Sequence, residues 1–224
     1  MHAMRLFSVL SFILMLSGCG ASTTRPGPLY EGRADSEPTL ECMPDPDVTD
    51  AAFTLHMRRG RELAEASFEV PDPEIPADHS AASLTAWSDG ALRSWLENKT
   101  HAVDAAREEL DLAAEEDHRQ RIVGGALVGL MFEDIARVLG LVPSPEDLAS
   151  EPEILAAFQH VIEGQARPYL ETARRAYHAC ALNARRPETM AHWARFCRRR
   201  MDRLPDGPAG SVETDTTEVE VLVD

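Results

Sequence analysis

IVGGALVGLMFEDIARVLGL, residues 122–141, decides the fold class of this chain. Ile122, Val123, Leu127, Leu130, Met131, Ile135, Val138 and Leu139 recur at three- and four-residue steps, the phase of an α-helix that is apolar over most of its girth. Gly125 and Gly129 lie four apart, on one face, and leave room for a neighbouring helix backbone. A membrane dimer motif needs a longer apolar stretch, so this helix is expected in the centre of a protein core.

The same period continues on both sides. Downstream, Val142-Pro143-Ser144-Pro145 breaks the chain, and Ser150-Glu151-Pro152-Glu153 restarts it, with Ser150 expected as the cap. Leu155, Phe158 and Ile162 face inward, and Pro168 is expected to kink or split the helix at that point. A helix with Leu170, Ala173, Tyr177 and Cys180 precedes a last one, from about Pro187 to Leu204, carrying Met190, Trp193, Phe196, Cys197 and Met201. Upstream, Thr49-Asp50 is expected to cap a helix with Phe53, Met57, Ala64 and Phe68, ended by Val70-Pro71-Asp72-Pro73. From Ser80, Leu84, Trp87, Ala91, Trp95, Ala102, Ala106, Leu110 and Ala113 mark one long helix to about His118, or two broken near Asn98. Residues 51–204 therefore read as an all-α domain of antiparallel helical hairpins or a bundle, with at least five helices and essentially no sheet.

Outside it the composition changes. Residues 19–50 hold Pro26, Pro28, Pro38, Pro44 and Pro46 with many acids and few large apolar groups, which predicts an extended, mobile tether. Residues 205–224 read as an acidic disordered tail, although Glu218 to Val223 alternates as an added strand would. At the start, the eleven-residue apolar run Leu6–Leu16 follows Arg5 and leads into Leu16-Ser17-Gly18-Cys19. Spanning a bilayer takes about 20 apolar residues, so the run is read as an export signal over residues 1–18, with Cys19 as the acceptor of a diacylglyceryl group. This segment resembles the bacterial lipoprotein class, whose members carry Leu, Val or Ile, then Ala, Ser or Thr, then Gly or Ala before the modified cysteine. The resemblance implies a mature chain that starts at Cys19 and is held in the bilayer by its acylated thiol. It also implies that Gly20, in place of an Asp, directs the protein to the periplasmic face of the outer membrane.

A second resemblance lies in Tyr169-Leu170-Glu171-Thr172-Ala173, Tyr177 and Cys180, where small and aromatic residues recur as in the second helix of a tetratricopeptide repeat. The wider stretch Ile122–Leu204 is similar to helical segments of tetratricopeptide-containing envelope proteins of Gram-negative bacteria. It has neither a 34-residue period nor the Trp-Leu-Gly-Tyr signature of the first repeat helix. The resemblance implies helical hairpins that bind another envelope protein.

Charge narrows the partners. Beyond residue 18 the chain has 21 basic and 38 acidic residues, a net charge of −17, which repels nucleic acid. Lys99 is the only lysine. His160 to Pro205 holds ten arginines against four acids, a local charge of +6 beside −23 in the rest. Arg195, Arg198, Arg199, Arg200 and Arg203 are candidates for a docking patch toward an acidic protein, a phosphate-bearing lipid or a cell-wall polymer; a plain solvated face is the competing reading.

With Cys19 acylated, Cys42, Cys180 and Cys197 remain, and an oxidising periplasm suggests one disulfide. Cys180–Cys197 is the favoured pair, although straight helices would offset the two by roughly 7 Å along their axes. A bridge from Cys42 to either one, or three reduced thiols, stay open. Glu115-x-x-His118 matches half of a di-iron helix pair but occurs once, and Cys180, Cys197, His178 and His192 lack the spacing of closed zinc sites. No cofactor, metal or catalytic residue is assigned. The chain reads as a membrane-anchored adaptor rather than an enzyme. The alternatives are a carrier holding an apolar ligand between helices, in a pocket lined by Trp87, Trp95, Leu130 and Met131, and, second, an enzyme of unrecognised type.

Overall fold

The structure is a computed structural model that describes residues 38, 40–44, 52–186 and 190–205. Its α-helices are α1 (Leu55–Phe68), α2 (Ala81–Trp87), α3 (Arg93–Glu116), α4 (His118–Gly140), α5 (Pro152–Asn183) and α6 (Ala191–Arg203), and no strand occurs among the described residues. A π-helical turn, Ser88–Leu92, joins α2 and α3 into one rod, so five rods pack together. Each is antiparallel to its neighbour: Gly60 and Ser67 of α1 meet Leu110 and Lys99 of α3, and Gly125 and Gly129 of α4 meet Cys180 and Tyr177 of α5. The central rod is α4, touched by α1, α3, α5 and α6, as its all-round apolar sequence requires.

Caps and breaks follow local chemistry. Thr54 begins α1, its Oγ1 accepting from the Met57 amide at 3.3 Å and donating to Gln120 Oε1 at 2.8 Å; Thr49-Asp50, the expected cap, lies outside the described residues. Ser80 caps α2 through the Ser83 amide. Between α3 and α4 stands a single residue, Asp117, whose extended backbone (φ −148°, ψ 136°) ends one helix and whose carboxylate accepts from the Arg119 and Gln120 amides to begin the next. Of the two readings of this stretch, the one long helix holds and the break near Asn98 does not occur. The register shift is instead the π-turn: the buried stripe runs Leu84, Trp87, Leu92, Trp95, Lys99, Val103, Ala106, Leu110 and Ala113, and its one five-residue step, Trp87 to Leu92, coincides with that turn. Leu92 is thereby inside and Ala91 exposed, contrary to the α-helical phase.

α5 runs unbroken through Pro168, so of the expected kink or split the split does not occur. The carbonyl that Pro168 leaves without an amide donor belongs to Gly164, and both residues are exposed, so water can satisfy it. The helix begins with Pro152 in its first turn and Glu151 as cap, one residue beyond Ser150, which makes no capping bond. Residues 40–44 also depart from expectation. Leu40–Cys42 forms one 3₁₀ turn, Leu40 and Met43 pack on the core and Pro38 is buried, so this part of the stretch read as a mobile tether is docked on the body. Residues 1–18, most of residues 19–50 and residues 206–224, on which the readings of an export signal, a tether and a tail fall, lie outside the described residues.

Aromatic-on-glycine contacts set the α4–α5 spacing: a Cβ at Gly129 would stand 2.5 Å from Tyr177 Cε1. Gly129→Ala should therefore destabilise by about 1–3 kcal/mol. Gly164→Ala meets nothing within 4 Å on an exposed stretch of α5, and should gain up to about 1 kcal/mol. Thermal melts of the two variants are expected to move in opposite directions.

Candidate functional site

The C-terminal hairpin is built from its buried side outward. Cys180 of α5 and Cys197 of α6 form a disulfide with their Cα atoms 6.2 Å apart. The expected axial offset shrinks because α6 begins at Ala191 rather than near Pro187, so Cys180 lies three residues before the end of α5 and Cys197 six after the start of α6. Trp193 sits beside Phe196 with centroids 6.2 Å apart, edge to face, and both are buried with Met190 and Leu204.

On the same inward stripe lies Arg200, only 3% exposed. Its Nη2 is 2.7 Å from Glu133 Oε1 of α4, and its Nε donates to Oε2 at 3.1 Å. The hydroxyl of Tyr177 donates to the same Oε2 at 2.6 Å. Burial pushes the Glu133 carboxyl up, opposed by Arg200 and by the Tyr177 hydroxyl. Tyr177 is pushed well above the ordinary phenol value by burial and by the Glu133 charge. Burial works against the Arg200 charge, but Glu133 and Tyr177 together outweigh it and hold the guanidinium above its ordinary value. Arg200 is thus a structural cation and drops out of the expected patch. Its place on the helix explains this, since Trp193, Phe196, Cys197, Arg200 and Leu204 share one three-and-four-residue stripe.

What remains outside is a coherent face. Arg195, Arg198, Arg199 and Arg203 are all exposed, at the spacing that places them on one side of α6. Arg195, Arg198 and Arg199 have no ion pair among the described residues. Asp202 is the one acid in the helix sequence.

A second polar cluster crosses the other flank of α4. Lys99 is fully buried; its Nζ lies 2.6 Å from Asp134 Oδ2, donates to the Ser67 carbonyl and stands 5.2 Å from the centre of the Phe68 ring. Asp134 Oδ1 accepts from Arg137 Nη2 at 2.9 Å, and that nitrogen also reaches Asp72 Oδ2 at 2.8 Å. Burial opposes the Arg137 charge, but Asp72 and Asp134 prevail and raise its pKa. Asp72, Asp134 and Arg137 of this cluster line a cleft of about 590 Å³ together with Pro38, Leu40, Phe68 and Val70, while Lys99 lies behind it in the core. The carrier pocket was expected elsewhere: Trp87, Trp95, Leu130 and Met131 are packed in the core and do not line this cleft.

Other expected constellations come apart. Glu115 closes α3 while His118 opens α4, where its Nε2 meets the Asn183 and Arg186 carbonyls at 3.0 and 2.7 Å, so the pair does not share a helix. Cys180 and Cys197 are spent on each other, and His178 is exposed. Cys42 is exposed and not part of that bridge. Cys19 lies outside the described residues. Lys99 and the adjacent Glu133 and Asp134 escaped the sequence reading. Their signals were a gap in the apolar stripe between Trp95 and Ala102, into which Lys99 falls, and two acids inside the most apolar helix.

No protein-family model, curated protein or solved structure matches this chain.

Arg200→Met leaves Glu133 buried with only the Tyr177 hydroxyl, and should cost about 3–5 kcal/mol in denaturant unfolding. The double variant Glu133→Met/Arg200→Met should recover much of that loss. Tyr177 stays neutral in the fold while the unfolded chain ionises above about pH 10, so its contribution is complete below that pH and lost above it, by about 1.4 kcal/mol per pH unit. In Tyr177→Phe the decline of stability between about pH 10 and 11 should be shallower by about 1 kcal/mol, because the unfolded tyrosine is only half ionised at the start of that interval.

Proposed function

We propose that this protein is an all-α adaptor, anchored by an acylated Cys19 at the periplasmic face of the outer membrane, that docks an acidic segment of another envelope protein through the arginine face of α6. The observation that carries the reading is that Arg195, Arg198 and Arg199 project from one exposed side of α6 without ion pairs among the described residues. That side belongs to a helix whose opposite side is clamped by the Cys180–Cys197 disulfide and the Arg200–Glu133 pair. Holding the backbone reduces the ordering cost of binding. Guanidinium groups are suited to carboxylates because each presents a planar fork of donors. The anchor rests on Leu16-Ser17-Gly18-Cys19 and the apolar run before it. No described helix is long and apolar enough to cross a membrane.

Two measurements address the two halves of this reading. Cys19→Ser should release the chain from washed membranes or leave an unprocessed precursor; a processed variant that remains in the membrane after carbonate would remove the anchor. Affinity capture from solubilised membranes should recover a partner that is lost at high salt and in Arg195→Glu/Arg198→Glu/Arg199→Glu. Equal recovery by that variant would remove α6 as the docking face.

A further inference from the structure

We infer that the cleft between the C-terminal end of α1 and the flank of α4 binds a small organic cation, an ammonium head carried on an apolar alkyl or aryl body. The site is separate from the α6 face and does not rest on the adaptor reading.

Space and walls come first. The cleft measures about 590 Å³, a size that suits one small molecule. Three parts of the chain build it: Pro38 and Leu40 ahead of α1, Phe68, Val70 and Pro71 at and beyond the end of α1, and Asp134 and Arg137 of α4. Pro38 is buried and Leu40, Phe68 and Val70 pack against the core, so the apolar walls stand in place before a ligand arrives.

Charge then decides what the walls receive. Four acids line the cleft, Glu65, Glu69, Asp72 and Asp134, against the single cation Arg137. The deep charges answer one another. Lys99, behind the wall, holds Asp134 at 2.6 Å, and Arg137, with its side chain 15% exposed, gives its Nε to Asp134 and its Nη2 to both Asp134 and Asp72. The floor is therefore close to neutral and offers little to an anion. The mouth is unbalanced. Glu65 and Glu69 stand four residues apart, a helical spacing at which like charges repel, and they do so at the C-terminal end of α1, where a negative charge is least favourable. The last turn has no basic residue, Arg61 reaches Glu65 only at 3.7 Å, and Glu69 has no ion pair among the described residues. Two carboxylates set against both tendencies, at the rim of an apolar cleft, are the kind of local conflict that a ligand resolves. An ammonium at the mouth meets both of them while its apolar body lies against Phe68, Leu40 and Val70.

The test uses the full chain in detergent micelles, with n-butyl-, n-pentyl- and n-hexylammonium as probes and 1-hexanol and hexanoate as the uncharged and anionic counterparts. Binding is read from the amide NMR shifts of Glu65, Glu69, Val70 and Asp72, which report the site whatever the micelle takes up. At low salt hexylammonium should bind about tenfold more tightly than hexanol, and about 1 M salt should remove that preference. Hexanoate should leave these amides unmoved. Each added methylene should tighten ammonium binding about threefold to fourfold. Glu65→Gln/Glu69→Gln should keep or raise the melting temperature, since it removes a like-charge pair, and should bind hexylammonium no better than hexanol. Absence of shifts at tens of millimolar hexylammonium overturns the proposal, and so does equal affinity for hexanol in the unsubstituted chain or a preference for ammonium that the double variant retains. Acetyl-Leu-Lys-Leu-amide carries the same head on a peptide; tighter binding of that tripeptide than of hexylammonium would make the occupant a basic protein segment and overturn the small-molecule assignment. Partner capture by α6 is measured separately and is untouched by each of these outcomes.

Discussion

Everything in this fold turns on two adjacent acids in the middle of its most apolar helix. Successive residues of an α-helix point about 100° apart, so Glu133 and Asp134 leave α4 on different flanks. Glu133 meets Arg200 of α6 and the Tyr177 hydroxyl of α5, and Asp134 meets Lys99 of α3 and Arg137. A buried charge without its partner costs several kcal/mol, so a packing that shifts either hairpin strands a carboxylate in the core. Apolar burial drives the rods together; these pairs select the register at which they stop.

The same constraint explains why α6 presents the face it does. Pinning Arg200 inward orients the helix, and the disulfide one turn earlier fixes its height against α5. The remaining arginines have no alternative but to face water, on the edge of a body whose net charge has the opposite sign. The basic face is thus a consequence of core geometry, and its orientation does not depend on whatever covers it.

How much of this was legible in the residues varies with the range of the interaction. The helices and their short breaks follow from local periodicity and from proline pairs, and Gly125 and Gly129 announce the close approach that Cys180 and Tyr177 use. The one-residue slip at Ser88–Leu92 was not legible, because an α-helical phase assigns Ala91 where a π-turn assigns Leu92. Pro168 reads as a break unless the tolerance of exposed Gly164 four residues earlier is weighed. The row Arg198-Arg199-Arg200 looks uniformly solvated, yet the stripe from Trp193 through Cys197 carries Arg200 inside. Lys99 is the hardest case: a lone lysine in an apolar stripe reads as a gap until an acid 35 residues away in sequence is known to face it.

That lysine also gives the molecule an unusual chemical property. The chain has one side-chain amine, and it is sealed between α1, α3 and α4 against Asp134, the Ser67 carbonyl and the Phe68 ring. Acylating reagents and amine cross-linkers that decorate ordinary protein surfaces find no lysine on this body. Modification at Lys99 can proceed only through openings of the inner seam, so its rate reads out how often that seam breathes, from a probe that evolution rather than engineering has placed there.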